Sequence, residues 1–464
     1  MPGTVDEQTV DEFSAGQLAD KNNRDTDIQA AFAEDYPDGG WRAWLVVLGA
    51  MCSTFSTFGY VNTWGVFQAY YEERLLLHSS TSTIAWIGSI QYSLVFLPGL
   101  VTGRMFDIGY FKLPYLFASI LLVVATFLVG ECTKYWQFLL CQGFAIGISC
   151  GMVFGPTNSI IGHWFRRKRG LAMGITACGS SIGGTVFPIA ARKLIPAVGF
   201  PWTMRIIGFI LVLSTGIANL TLERRLPPVR VKGGLANLGA FKSAPYTIYC
   251  ISGFTTFLGL YTVLTYIDIS SISVGISSDF SFYLVSIANA ASGLGRIVAG
   301  ILTDKFGAVN YMAPVTLAAG ILTYAWPFAR DKPSIIVIAT LYGFTNGAYI
   351  SSFLIPIFEL GDMGDLGRRL GMAMTIAASG ALAGPPISGA IYSATGGFEA
   401  VGYYAGAAVH PFVVHSAFLI TEYRKHYSSD RRADAYSSSP SPRKVGRKIL
   451  NMKLRRGFLL ESRL

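Results

Sequence analysis

The sequence predicts an all-α membrane protein with twelve transmembrane helices arranged as two parallel repeats of six. Three observations support this fold class: the chain is poor in charge, it contains twelve long apolar stretches, and its two halves resemble each other. Of its 464 residues, 52% are hydrophobic and 14% are charged, whereas a soluble domain carries about 25% charged residues. Since so few charges cannot cover a water-facing surface, most of the surface must face lipid.

Twelve stretches are long enough for an apolar helix to cross the hydrocarbon core, which takes about 20 residues. We number them as spans 1 to 12, and they cover about residues 42–67, 84–103, 112–130, 135–161, 170–191, 202–221, 246–267, 280–303, 311–328, 334–358, 370–393 and 400–421.

The orientation follows from the basic residues in the short loops, which favour the cytoplasmic side. Counting Lys112 at the start of span 3, the loops after spans 2, 4, 6, 8 and 10 contain fourteen Lys and Arg residues, and the loops after the odd-numbered spans contain six. The first 40 residues contain no basic segment followed by an apolar one, so no cleaved signal peptide is expected. We therefore expect a multi-pass protein of the plasma membrane with both termini in the cytoplasm.

The remaining segments complete the predicted domain organisation. The first 40 residues hold ten acidic and two basic residues, and residues 422–464 hold four acidic and twelve basic residues. These tails nearly cancel, so the net charge of +10 comes from the loops and is not the footprint of a nucleic-acid partner. The predicted units are a disordered acidic tail 1–40, a six-helix bundle 41–221, a cytoplasmic linker 222–245, a second six-helix bundle 246–421 and a basic cytoplasmic tail 422–464.

An internal repeat relates the two halves. In spans 4 and 10, Gly143, Phe144, Gly147 and Pro156 match residues of the same type 200 positions later. In spans 5 and 11, the fifteen-residue segments that begin at Gly170 and Gly371 share seven identical residues at an offset of 201. Because both copies have the same orientation, the repeat is parallel, with its axis along the membrane normal. Two such bodies can rock against each other and alternate access to a central site.

A short loop motif supports the same repeat. The motif G-x-x-x-D follows span 2 at Gly103–Asp107 and follows span 8 at Gly300–Asp304, where Lys305 comes next. Glycine permits close helix approach, and an aspartate favours the positive N-terminal end of a neighbouring helix. We expect these residues to form a conformational latch between the halves. The alternative is a plain capped turn.

With these motifs, the chain resembles the major facilitator superfamily, whose loops after spans 2 and 8 read G-x-x-x-D-R/K-x-G-R/K-R/K. The second copy fits this signature better, because the first has Ile108 in place of the basic residue. The resemblance covers about residues 37–421 and implies a major facilitator fold.

Within that superfamily, the chain resembles the fungal branch of the monocarboxylate-porter family. Two motifs carry this resemblance: Asp38, Gly39, Gly40 and Trp41 open span 1, and the segment Trp164–Ala172 opens span 5. We expect Asp38 to cap the N-terminus of span 1, the two glycines to allow a sharp turn, and Trp41 to anchor the helix at the interface.

Arg296 in span 8 is the candidate substrate anchor, because the family resemblance implies an arginine there that binds the anionic group of the substrate. The residues indicate the same position, since only Arg42 and Arg205 also lie within spans, and both are near the ends. An arginine at mid-helix costs about 2.5–3.5 kcal/mol on insertion scales, and its planar guanidinium suits a carboxylate. The alternatives are an arginine that reaches the cytoplasmic interface or pairs with Asp304.

Two positions depart from the family pattern. Animal members carry a lysine in span 1 and an aspartate one turn before the span 8 arginine, where this chain has Asn62 and Ser292. Neither residue titrates, so the family's proton relay is not carried over, and a co-transported proton is left open. Together with Asn158, Asn346 and Tyr266, these residues are expected to line a substrate cavity between the halves. Hydrogen bonds between helices are the alternative for Asn158, Asn346 and Tyr266.

These features favour a secondary active transporter that moves a small organic solute, an organic anion or a monocarboxylate, by alternating access. The alternatives are an efflux pump for a fungal secondary metabolite and, more distantly, a transporter-derived nutrient sensor. An enzyme is not expected, because no acidic or histidine cluster lies at either membrane face. No cofactor or metal site is expected either, since the six cysteines have no paired spacing. The expected partners are a small-molecule substrate and the lipid bilayer, without nucleic acid, and the oligomeric state is left open.

Overall fold

A computed structural model describes residues 36–226, 234–361 and 363–415 of the chain. Eleven helical segments in this part are long and apolar enough to cross a membrane, and none of the described residues forms a β-strand. The predicted span 12 is helical over residues 399–415. The rest of span 12 and nearly all of both predicted tails lie outside the described residues. The all-α fold class is therefore confirmed.

Several of the spans consist of more than one helix. The α-helices are Gly40–Thr54 and Trp64–Tyr70 in span 1, Thr81–Leu94 and Gly99–Asp107 in span 2, Lys112–Val129 in span 3, Tyr135–Phe138 and Gly147–Trp164 in span 4, Arg169–Val198 in span 5, Phe200–Thr221 in span 6, Ala244–Leu260 and Thr262–Ser273 in span 7, Ser278–Phe306 in span 8, Ala308–Ala325 in span 9, Lys332–Ser352 in span 10 and Leu366–Thr395 in span 11. The π-helices are Phe55–Gly59, Tyr71–Leu75 and Leu139–Ile146, and short 3₁₀ turns are Leu238–Lys242, Trp326–Phe328, Ile355–Phe358 and Met363–Asp365.

The first span of each half is interrupted near its middle. Span 1 turns at Asn62 and Thr63, and span 7 turns at Tyr261. In span 7 the carbonyl of Leu260 accepts hydrogen bonds from Tyr342 Oη at 2.6 Å and from Asn346 Nδ2 at 3.4 Å. A broken helix is tolerated at membrane depth when its freed backbone groups are bonded within the protein. The break in span 7 is therefore stabilised by two side chains of span 10.

The helices of spans 5 and 11 correspond to each other in the two halves, as the internal repeat predicts. Both helices have 30 residues, and they begin at Arg169 and at Leu366, which are 197 positions apart. Each ends at a glycine with positive φ, Gly199 and Gly396, at the same separation. The sequence match at 201 differs from this register by four residues, about one helical turn. A shift of one turn keeps the same helix face, so both registers place glycines against the neighbouring span.

Hydrophobic packing gives each half a core of its own. One buried cluster comes almost entirely from spans 1 to 6 and includes Phe67, Phe138 and Phe200. Another comes from spans 7 to 12 and includes Trp326 and Tyr342.

Glycines bring the broken spans close to spans 5 and 11. A Cβ added at Gly183 would lie 2.6 Å from the Cα of Gly59, so the backbones of spans 5 and 1 touch there. In the second half, a Cβ at Gly384 would lie 2.1 Å from the carbonyl oxygen of Leu258 in span 7. Small residues allow such contacts, which stabilise helix pairs in membranes through van der Waals packing.

Gly183→Ala is expected to destabilise the protein by about 1–3 kcal/mol, because the added methyl group forces two backbones apart. The measurement is the thermal unfolding midpoint of the purified protein in detergent. Gly216→Ala is the matched control, since a Cβ at this helical position of span 6 meets nothing within 4 Å. Equal midpoints for the two variants would contradict the assignment of a tight contact at Gly183.

Candidate functional site

Arg296 lies at the contact between span 8 of the second half and span 5 of the first half. It is only 7% exposed, and its Nη1 atom donates hydrogen bonds to the carbonyl of Ala177 and the hydroxyl of Ser180. Its Nε atom is buried and has no hydrogen-bond partner. The expected alternative of an ion pair with Asp304 is not formed, since that carboxylate bonds backbone amides elsewhere. Arg296 is therefore a buried cation whose donors are only partly used.

A polar strip continues from Arg296 along the same helix contact. Ser181 Oγ donates to Ser292 Oγ at 3.4 Å, and Asn289 Nδ2 donates to the carbonyl of Gly184 at 3.3 Å. Asn62, from the break in span 1, points to the same place, because a Cβ at Gly184 would lie 2.8 Å from Asn62 Nδ2. Asn62 is exposed even though it lies in the middle of a span. The structure thus brings Asn62 and Ser292 together on one strip with Arg296.

The other three expected substrate residues lie elsewhere. Asn346 donates to Leu260 at the break in span 7, and Tyr266 Oη donates to the carbonyl of Pro385 at 2.8 Å within the second half. Asn158 Nδ2 donates to Phe154 of its own helix at 3.4 Å. The bonds of Asn346 and Tyr266 are the hydrogen bonds between helices that the sequence analysis gave as the alternative, whereas the bond of Asn158 lies within its own helix. Only Asn158 also lines a small cavity between the halves.

Two tyrosines near Arg296 were missed by the sequence reasoning. Tyr92 of span 2 and Tyr261 at the break in span 7 have ring centroids 5.8 Å apart at an interplanar angle of 81°. The charge of Arg296 acts on both phenol groups. Their positions gave little signal, because tyrosines are common in apolar spans and neither residue belongs to a motif. The central contact therefore combines one cation and two phenol rings from three spans.

Asp107 joins the end of span 2 to the start of span 11. Its Oδ1 accepts a hydrogen bond from the backbone N–H of Gly367 at 2.9 Å, and its Oδ2 accepts one from Arg368 N–H at 3.1 Å. The first amide groups of a helix have no partner within the helix, and its N-terminal end favours negative charge. Asp107 thus caps a helix of the other half. Arg224 is close by, and burial lowers its pKa while the charge of Asp107 opposes that shift.

Asp304 makes the corresponding contact at the end of span 8. Its carboxylate accepts hydrogen bonds from the backbone N–H groups of Gly170 at 2.6 Å and Leu171 at 2.9 Å, which start span 5. Lys305 is exposed in the last turn of span 8 and takes no part in this cap. Asp107 and Asp304 lie at the end of the bundle that carries the loops rich in Lys and Arg. We call this end the basic end.

The glycines of the two motifs make these caps possible. A Cβ at Gly103 would lie 2.2 Å from the carbonyl oxygen of Gly367, and one at Gly300 would lie 2.5 Å from that of Gly170. Any side chain at these four positions would separate the helices by more than the caps can span. In each copy of the G-x-x-x-D motif, the glycine and the aspartate therefore act at the same helix contact.

Asp38 does not cap its own helix, so this expectation was wrong. Gly39 occupies the N-cap of span 1 and makes no side-chain cap. Asp38 Oδ1 instead accepts hydrogen bonds from the backbone N–H groups of residues 166, 167 and 168, at 2.7, 2.7 and 3.2 Å. The turn is built by a left-handed Asp38 (φ 46°) and by Gly40 (φ 82°), which swing the carboxylate away from span 1. Trp41 is 81% exposed, which leaves it free to contact lipid.

Comparison with known proteins places this fold in a family. The sequence profile of the Major Facilitator Superfamily matches residues 46–354 and, in a second match, residues 249–460. The chain is 39% identical over 383 residues to the aspyridones efflux protein apdF of Emericella nidulans, covering 82% of this chain and 78% of that protein. It is 37% identical over 364 residues to the MFS transporter asaE of Aspergillus flavus, covering 78% and 82%.

Solved structures share the fold at low sequence identity. The human organic anion transporter MFSD10 (TETRAN) superposes with a TM-score of 0.63 at 15% identity, covering 81% of this chain and 98% of that one. The fucose:proton symporter FucP of E. coli gives a TM-score of 0.64 at 12% identity, covering 80% and 98%. The sequence profile and the relatives together show that the chain belongs to the Major Facilitator Superfamily and is a transporter, not an enzyme.

Proposed function

We propose that this protein is a secondary active transporter that exports a small secondary metabolite, an organic anion that binds at Arg296. The observation that carries the proposal is the 39% identity, over four fifths of the chain, to a protein named for the efflux of aspyridones. A buried arginine with an unbonded Nε atom, placed between the halves, supports an anionic group on the substrate.

The surroundings of Arg296 favour metabolite export over monocarboxylate transport. The positions that carry a lysine and an aspartate in animal monocarboxylate porters hold Asn62 and Ser292, and the serine is bonded to Ser181. Neither side chain can gain or lose a proton. The phenols of Tyr92 and Tyr261 instead interact electrostatically with the guanidinium. These surroundings suit a larger aromatic solute better than a small carboxylate with its proton.

Substrate binding competes with the contact between the halves. In this state Arg296 donates to span 5 through Ala177 and Ser180. An anion that draws the guanidinium away replaces these bonds, in which only the donor is charged, with bonds in which both partners are charged and which can be bidentate. The anion therefore weakens the contact between spans 5 and 8 when it binds. This exchange links substrate binding to the rocking of two bundles, 41–221 and 246–421, about the linker 222–245.

The two helix caps act as the latch of this cycle. With Asp107 and Asp304 bonded across the halves, the basic end is closed. The distribution of charge among the loops places this end in the cytoplasm, and we assign the protein to the plasma membrane. Opening toward the cytoplasm then requires both carboxylates to leave the backbone amides that they cap. No residue is assigned to a co-transported proton.

Deletion of the gene in its fungal host should trap the substrate inside the cells. We expect at least one anionic metabolite to rise in the mycelium and fall in the medium, as measured by mass spectrometry of both fractions. Complementation with wild type should restore export. Arg296→Gln should lower export about tenfold or more, since a hydrogen bond to a charged group contributes about 1.5–3 kcal/mol.

Arg330→Gln is the control for that experiment, because Arg330 is exposed and its ion pair with Glu399 is 3.8 Å long. It should export as wild type does. Unchanged metabolite fractions combined with a loss of labelled lactate or pyruvate uptake would overturn the proposal in favour of monocarboxylate transport.

Asp107→Ala and Asp304→Ala should each open the basic end more often. Loss of an N-cap costs about 1 kcal/mol, which raises the open population about fivefold. The measurement is the rate at which an impermeant maleimide labels Met374→Cys, a cavity position, in inside-out vesicles of a variant without native cysteines. Asp107→Asn should give a labelling rate between those of Asp107→Ala and wild type, since asparagine keeps one acceptor oxygen for the backbone amides and loses the other.

Asp331→Ala is the matched control for the latch, because Asp331 caps the start of its own span 10 through Ser334 N–H at 3.2 Å. It removes the same kind of bond without releasing a contact between halves. We expect no rise in labelling, and a rise equal to that of Asp107→Ala would show that general destabilisation explains the effect.

A further inference from the structure

Tyr92 and Tyr261 meet between the halves of the protein. Each residue is only partly buried as a whole, although its phenol group is enclosed by neighbours from both halves. Tyr261 is held in place by the break in span 7, where Tyr342 and Asn346 bond the carbonyl of Leu260. Tyr92 packs on Phe96 of its own span at a centroid distance of 6.0 Å. Both rings are therefore positioned by rigid neighbours within their own half.

Arg296 completes a site with these two rings. Its guanidinium interacts electrostatically with both phenols, and its Nε atom is enclosed without a hydrogen-bond partner. A buried donor without a partner is costly, and an incoming anion would remove that cost. The unbonded Nε atom thus indicates a ligand with an anionic group, and the two rings indicate that an aromatic skeleton carries this group.

The space beside the rings is aromatic and apolar. Phe58 packs on Phe96 at 5.3 Å and on Phe154 at 4.7 Å, while Tyr261 packs on Phe257 at 5.9 Å. A small cavity lies between the halves near this wall, and Asn158 is the polar side chain among residues that are otherwise apolar or glycine. A flat, conjugated skeleton suits this wall better than a saturated one, because aromatic rings pack on one another with specific gains.

We propose that Tyr92 and Tyr261 form an aromatic clamp that, together with Arg296, selects planar conjugated organic anions over saturated ones. This inference rests on the proposed export of an organic anion and narrows its substrate to one chemical class. The guanidinium binds the carboxylate or enolate, and the two rings contact the conjugated skeleton. Because each half supplies one ring, a planar ligand touches both rings only while the halves are close.

The test uses the full-length protein in lipid nanodiscs and three ligands of matched skeleton. They are 2-naphthoate, its saturated analogue decahydronaphthalene-2-carboxylate, and the neutral 2-naphthamide. Affinities are measured by competition against radiolabelled 2-naphthoate. We expect 2-naphthoate to bind about tenfold more tightly than each of the other two, because one analogue lacks the flat rings and the other lacks the charge.

Variants separate the roles of the ring and the charge. Tyr92→Leu and Tyr261→Leu should reduce the preference for 2-naphthoate over its saturated analogue to about twofold or less, whereas Tyr92→Phe and Tyr261→Phe should keep it. Arg296→Gln should weaken both acids and leave their ratio unchanged. Tyr392→Leu is the control, since Tyr392 is also partly buried and stacks on Phe398 at 4.4 Å within the second half.

The outcomes distinguish this proposal from the one on which it rests. Equal binding of the two acids by wild type, with metabolite export intact in cells, would overturn the clamp and leave the transporter assignment standing. Failure of both acids to bind, together with normal export in the Arg296→Gln strain, would overturn the anion site itself. If the Leu variants do not fold, the ligand series on wild type and the Phe variants still decides the question.

Discussion

The two halves of this transporter meet where a carboxylate at the end of one helix accepts hydrogen bonds from the free amides at the start of another. The first amides of a helix have no partner within it, and inside a membrane protein such groups must be satisfied. Asp107 and Asp304 supply the acceptors from the opposite half. The glycines of the same motif bring the backbones close enough. The positions of spans 2, 5, 8 and 11 all depend on this pair of contacts.

Arg296 lies between spans 5 and 8, one of the two helix pairs that these caps join. Its hydrogen bonds to span 5 satisfy part of a buried charge, and in the proposed cycle a substrate anion replaces them. Under that proposal, the same helix contact stabilises one state of the protein and offers a binding group to the solute. The broken spans 1 and 7 place Asn62 and Tyr261 at their turns, so irregular backbone is found next to the proposed site.

The fold was predictable because the hydrophobic stretches, the loop charges and the repeat all report on the membrane itself. Arg296 and the two aspartates were named as candidates from the sequence, since a charge within a span and a twin motif stand out from their surroundings, and their roles stay predictions. Asp38 was placed at the wrong helix, because its left-handed backbone and its distant partner at residues 166–168 arise only from tertiary packing. The tyrosine pair was missed for a related reason. In an apolar span, a tyrosine that contacts a ligand cannot be distinguished by sequence from one that only packs against its neighbours. Asn346 and Tyr266 were polar enough to attract attention, but their bonds support a helix break and a neighbouring helix.

In the two caps the acceptors are side chains, but the donors belong to the main chain. The residues that present those amides can therefore change identity without loss of the hydrogen bonds, provided that the glycines remain. Under the proposed cycle, sequence variation around the substrate is thereby decoupled from the contacts that open and close the protein. New cargo is then acquired by exchanging side chains in the centre of the bundle while the two caps are kept.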